Sequence, residues 1–193
     1  MTVDAQTTLR IEFDLNEDDL NYFRQRLEAS RKSWKFRDDG RVVEGAKALI
    51  AEATKSNPPH YVMERVETLK TMLDMLTDHD WELKGDEREH VFDMLAYFAD
   101  PKDIIPDHLP GVGFLDDAIM IELVAAELEP EIEAYNDFCM NRDELKSGSD
   151  DANPINISRE YLQNRMRRRR RRRLTSTDGG AAMVASLFGP GGS

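Results

Sequence analysis

The sequence predicts an all-α protein, one helical domain of five or six helices. Three observations carry that prediction. Apolar side chains recur at helical spacing along most of residues 17–145. Only Leu9, Ile11 and Phe13 alternate with polar residues as a strand does, and no second run pairs with them. A Pro/Asp/Gly-rich stretch, residues 97–121, breaks the helical pattern once and sharply.

The elements follow in chain order. Residues 1–8 are small and polar and are expected to be disordered, and 9–13 read as an extended lead-in. Asp14 or Asn16 can cap a helix over about 17–34, with Glu17, Asp18 and Asp19 favouring its positive N-terminal end. Asp38-Asp39-Gly40 is a turn. A second helix, about 41–56, carries Val42, Val43, Ala46, Leu49, Ile50 and Ala53 on one face and stops at Asn57-Pro58-Pro59. Val62, Val66, Leu69, Met72, Leu73 and Leu76 form the stripe of a third, about 59–77. Asp86 to Glu89 have capping-box spacing and open a fourth, about 87–99, with Val91, Leu95 and Phe98 inward. A fifth runs from about 115 to 128. Pro130 kinks it or starts another that continues to about Leu145. The domain is thus expected at 9–145. Residues 146–193 read as a linker (146–154), an Arg-rich segment with a last helix from Ser158, and a Gly/Ala-rich flexible tail.

Residues 97–121 hold three of the eight prolines, two of the eleven glycines and five aspartates. Pro106 and Pro110 fix φ and push Ile105 and Leu109 toward extended conformations, which forces the chain out of helix. Gly111 or Gly113 is suited to positive φ or close backbone approach. Ile104, Ile105, Leu109, Val112 and Phe114 give the turn an apolar side that packs back on the flanking helices or stays exposed as a docking tip. Asp103 and Asp107 are placed to hold local bends, and Asp116 and Asp117 to accept N–H groups at the start of the next helix. The alternative for Asp103, Asp107, Asp116 and Asp117 is a hard-cation site for Mg²⁺ or Ca²⁺, since clustered carboxylates supply the oxygens such ions need.

The order Tyr97-Phe98, Asp100-Pro101, Asp103-Ile104-Ile105-Pro106-Asp107, Leu109-Pro110, Gly113, Leu115-Asp116-Asp117 resembles the YkvA-like family, a bacterial domain-of-unknown-function family. The resemblance covers residues 96–120, within a core of about 87–140. It implies a helical hairpin around a proline-rich turn and no known reaction. Some relatives have longer apolar helices here. In this chain Glu122, Glu127 and Glu129 interrupt the helix after the turn, which disfavours insertion into a bilayer.

Charge is distributed unevenly. The whole chain carries −12, yet residues 159–193 hold nine arginines against Glu160 and Asp178, a net of +7, which leaves −19 on residues 1–158. Seven consecutive arginines cannot form a core face, because their charges would lose water. Arg165, Arg167, Arg168, Arg169, Arg170, Arg171, Arg172 and Arg173 are therefore candidates for contact with the protein's own acidic body, with nucleic acid, with anionic lipid or with an acidic protein partner. The expected function is a non-enzymatic helical interaction module. The alternatives are a peripheral membrane module using the 104–115 tip and the arginines, and a metal-dependent enzyme using the turn aspartates.

Other candidates are weaker. His60, His79, His90 and His108 share no helical pair and no HExxH pattern. Cys139 is the only cysteine, which excludes an internal disulfide and suits a reducing compartment. No apolar run reaches the roughly 18–20 residues of a membrane span, and the N-terminus lacks a secretory pattern. A cytoplasmic location, peripheral at the membrane in the lipid reading, is expected.

Overall fold

The computed structural model describes residues 14–33, 39–99, 105, 112–148 and 152–175. Seven α-helices and one 3₁₀ turn follow in order, with no strand among the described residues. They are α1 (Glu17–Ser33), α2 (Asp39–Ser56), α3 (His60–Thr77), α4 (Gly85–Leu95), the 3₁₀ turn (Ala96–Ala99), α5 (Leu115–Glu127), α6 (Glu129–Gly148) and α7 (Ala152–Thr175). The expected lead-in 9–13, residues 1–8, Asp38 and residues 176–193 lie outside the described residues, whereas Asp39 and Gly40, expected in a turn, open α2.

Several helix starts and stops have a local chemical reason. Asn16 Oδ1 accepts the N–H groups of Asp18 and Asp19 at 2.8 and 3.1 Å. Asp19 Oδ2 accepts the Asn16 N–H at 3.0 Å, so Asn16 and Asp19 cap α1 reciprocally. Asn57 takes φ of 50° just past α2, the left-handed stop that asparagine tolerates, before the two prolines. Pro130 sits in the first turn of α6, where its missing N–H costs no helical bond, so it starts a helix rather than kinking one. The capping box at Asp86–Glu89 is not formed. Helix α4 begins earlier, at Gly85, whose φ of +57° turns the chain into the helix, and Lys84 at the cap position makes no side-chain capping bond. Asp86 and Glu87 therefore lie in the first turn, on the favourable side of the helix dipole.

The core gathers Leu20, Phe23 and Leu27 of α1, Val42 and Ala46 of α2, and Leu69, Met72 and Met75 of α3. Val91 and Leu95 of α4, Met120 and Val124 of α5, and Ala134 and Phe138 of α6 complete its centre. Trp81, in the α3–α4 loop, is fully buried, with ring centroids 5.7 Å from Tyr135 and 5.1 Å from Phe138. Helix α2 packs closely on the 3₁₀ turn. A Cβ added at Gly45 would lie 2.7 Å from Ala99 Cα and 3.0 Å from the Phe98 carbonyl oxygen.

The basic segment is the main departure from expectation. Helix α6 runs on to Gly148 and α7 begins at Ala152, so little of the expected linker at 146–154 remains. The basic part of the expected tail forms α7, which packs antiparallel along α6. Arginine has good helix propensity, and Leu162 and Met166 give this helix an apolar anchor at 2% and 0% exposure.

Candidate functional site

Two regions hold the residues singled out by the sequence: the turn before α5 and the α6–α7 hairpin. Of the turn, Ile105 and residues 112–114 are described. Asp103, Asp107, Ile104, Leu109 and Gly111 lie outside the described residues. Asp116 is 1% exposed, and its Oδ2 accepts the Ile105 backbone N–H at 3.0 Å. The carboxylate thus ties the turn to α5, and a charge-assisted bond of this kind suits a buried acceptor. Asp117 is half-buried. Phe114, not Gly113, takes the left-handed conformation, at φ of 63°. Its ring is buried against Ala53, Val62, Val66 and Ala118, and burial of a ring this size outweighs about 1–2 kcal/mol of backbone strain. The Ala118 N–H donates to the Phe114 carbonyl at 2.9 Å, which closes the first turn of α5. Among the described residues no group of three or more His, Cys, Asp or Glu side chains is placed to hold a metal ion.

Residues 91–123 match DUF1232, described as a protein of unknown function. The match spans the end of α4, the turn and most of α5, and it agrees with the YkvA-like resemblance carried by residues 96–120. No curated protein and no solved structure gives a significant match. Arg65 of α3, outside the DUF1232 segment, pairs with Glu122 of α5 inside it at 3.0 Å. One of the acidic residues that interrupt the apolar run of α5 is therefore used to fix α3 against it.

The α6–α7 hairpin is built on a rigid platform. Asp78 Oδ1 accepts the N–H groups of Asp80 and Trp81. Its Oδ2 accepts Tyr135 Oη–H at 3.0 Å and an Arg142 N–H at 2.5 Å. Burial alone would raise the Asp78 pKa, but these four bonds outweigh it and hold the carboxyl below its ordinary value. Burial, followed by the neighbouring Cys139 and Asp78, pushes the Tyr135 hydroxyl upward. Burial likewise raises the Cys139 thiol, which therefore lacks the character of an activated nucleophile. The effect of this network is to pin α6 to the loop after α3.

On this platform the arginines of α7 form two inward rows. Along α6, Arg165 pairs with Asp137, Arg169 with Glu133, and Arg173 with Glu129 at 3.1 Å. Partners step by four residues in opposite directions, as antiparallel helices require. Asn141 Nδ2 donates to Ser158 Oγ at 3.3 Å near the closed end of the hairpin. Toward the α3–α4 loop, Arg159 pairs with Glu82 at 3.1 Å and donates to the Asp80 carbonyl at 3.0 Å. Gln163 donates to the Trp81 carbonyl at 2.7 Å, and Arg167 pairs with Glu87 at 2.8 Å. Arg170 approaches the wholly buried Glu131 at 3.8 Å. Burial raises the Glu131 pKa above its ordinary value, with Arg170 opposing.

Magnitudes decide what holds α7. Each partly exposed pair is worth about 0.2–1 kcal/mol, whereas burying Leu162 or Met166 is worth about 1.5–3 kcal/mol. The apolar anchors bind the helix and the ion pairs set its register. Of the candidate arginines, Arg165, Arg167, Arg169, Arg170 and Arg173 face the protein's own carboxylates. Arg168, Arg171 and Arg172 are exposed. Sequence reading did not assign the partner carboxylates. The signal was the matched four-residue spacing of Glu129, Glu133 and Asp137 with Arg165, Arg169 and Arg173.

No helix of the described residues is long and apolar enough to cross a membrane.

Proposed function

We propose that the protein is a non-enzymatic helical interaction module that contacts polyanions through the outward face of α7. The observation that supports this is the exposure of three arginines on a helix that is docked by its other residues. Leu162 and Met166 anchor the helix, and the inward rows, paired with carboxylates of the body, set its register. Arg168, Arg171 and Arg172 are exposed to solvent. An ordered helix presents these charges without the ordering cost a flexible tail would incur on binding. The acidic body confines a polyanion to this face, since approach elsewhere meets like charge.

The two alternative readings have less support. For docking through the 104–115 tip, Phe114 is buried and Ile105 and Val112 are half-buried, which leaves little apolar surface on the described part of that tip. For a metal-dependent enzyme, Asp116 already holds the Ile105 N–H. A thermal midpoint raised by millimolar Mg²⁺ or Ca²⁺ would revive that reading.

The test of the module is retention on immobilised heparin as salt is raised. The full chain is expected to bind at low salt, and Arg168→Ala/Arg171→Ala/Arg172→Ala is expected to elute without retention. Equal retention of the two would contradict the proposal.

A further inference from the structure

Helical phase places two apolar side chains in line with the exposed arginines. Ile157 and Tyr161 are 62% and 61% exposed, one turn apart on α7. Counting 100° per residue, Ile157, Tyr161, Arg168 and Arg172 fall within one narrow stripe, with Arg171 on its flank. The stripe is about 22 Å long. Its first half is aromatic and aliphatic and its second half is cationic. Glu160, also exposed, flanks the first half and disfavours a phosphate there.

We infer that this stripe binds single-stranded nucleic acid, with a base stacked on Tyr161 and phosphates on Arg168, Arg171 and Arg172. The inference rests on the polyanion reading above and names its substrate class. Single strands fit for two reasons. An exposed ring stacks on any unpaired base, whereas the bases of a duplex are already stacked on one another. Arginines a turn apart track a short length of backbone and release its counterions. An anionic bilayer fits less well: a surface-bound helix buries an apolar face along its length, and here the apolar pair is confined to one end and its polar flanks face the same way.

The experiment titrates the full chain against a fluorescein-labelled uridine dodecamer, the same length of RNA duplex, and phosphatidylserine vesicles, with heparin retention measured in parallel. The uridine oligomer is expected to bind more tightly than duplex, with a slope of log K against log salt of about −2 for three phosphates. Tyr161→Ala is expected to weaken oligomer binding by about 5- to 160-fold, with heparin retention unchanged and Tyr161→Phe restoring affinity. Tyr161 is on the surface, so an unchanged thermal midpoint will show that the variant folds. Oligomer binding indifferent to Tyr161→Ala, equal or tighter binding of duplex, or binding to vesicles alone overturns the inference and leaves the polyanion reading standing. Heparin retention indifferent to the triple arginine variant overturns that reading, and the inference with it.

Discussion

The turn before α5 and the α6–α7 hairpin use the same side-chain chemistry for opposite purposes. In the DUF1232 segment, a carboxylate is withdrawn from water. Asp116 is 1% exposed and accepts a backbone N–H of the turn. In the hairpin, carboxylates stand at the edge of solvent and meet arginines: Glu129, Glu133 and Asp137 are each 38–44% exposed. A buried bond to a charged acceptor is worth about 1.5–3 kcal/mol; an exposed ion pair is worth about 0.2–1 kcal/mol. The first region fixes the fold and the second positions a helix on it. Within an aspartate-rich stretch that suggests an active site, Asp116 is thus accounted for by backbone architecture.

The contrast can be broken most forcefully at Phe114. Phe114→Ala removes a buried ring from between α2, α3 and α5 and is expected to cost about 3–5 kcal/mol in a denaturant titration. Phe114→Gly relieves the left-handed backbone and should recover about 1 kcal/mol relative to alanine. Next comes Asp116→Ala, which leaves the Ile105 N–H without its acceptor and is expected to cost about 2–3 kcal/mol. That loss should be little changed by 0.5 M NaCl, because the bond is buried.

A third perturbation uses pH. His90 of α4 is half-buried, and burial, followed by the charges of Arg170 and Arg31, lowers its pKa from 6.5 to about 4. The unfolded chain therefore takes up the proton first on acidification. Stability from this residue is full above pH 6.5 and is lost as pH falls toward 4, on the order of 2 kcal/mol after allowing for partial exposure. His90→Gln should flatten the fall in stability across that window. Glu131 works in the other sense: its raised pKa favours the protonated form in the fold, so its contribution is present at low pH and is lost as pH rises through its folded value.

The smallest effects are expected in the hairpin. Glu133→Gln or Arg169→Gln should cost about 0.2–1 kcal/mol each at low salt, and the loss should shrink toward zero at 0.5 M NaCl. A salt-independent loss at Glu133, or a salt-sensitive one at Asp116, would remove the distinction between the two regions.

The helices were largely legible because their apolar stripes are long and their stops are chemically plain, as at Asn57-Pro58-Pro59. Gly45 was not, since a glycine inside a helix reads as weakness until the backbone of Ala99 is seen against it. Phe114 was hidden by its neighbours: Gly111 and Gly113 invite the positive φ, and only the pocket of Ala53, Val62 and Val66 explains why a phenylalanine takes it. The bond between Ile105 and Asp116 depends on the path of the turn in space, which local propensity does not encode. For α7 the arginine run masked its own pattern. Seven like residues in a row show no periodicity, and the order lies in Leu162, Met166 and the spacing of the partner carboxylates. Ile157 and Tyr161 acquire meaning only once the opposite face of their helix is seen to be occupied.

Amide hydrogen exchange across residues 152–175 of the full chain tests the central claim most directly. A docked α7 predicts strong protection from Leu162 to Arg173, approaching that of α6, with protection reduced in the Leu162→Ala/Met166→Ala variant. Exchange of that segment at the rate of an unstructured peptide, while α6 stays protected, would contradict the account.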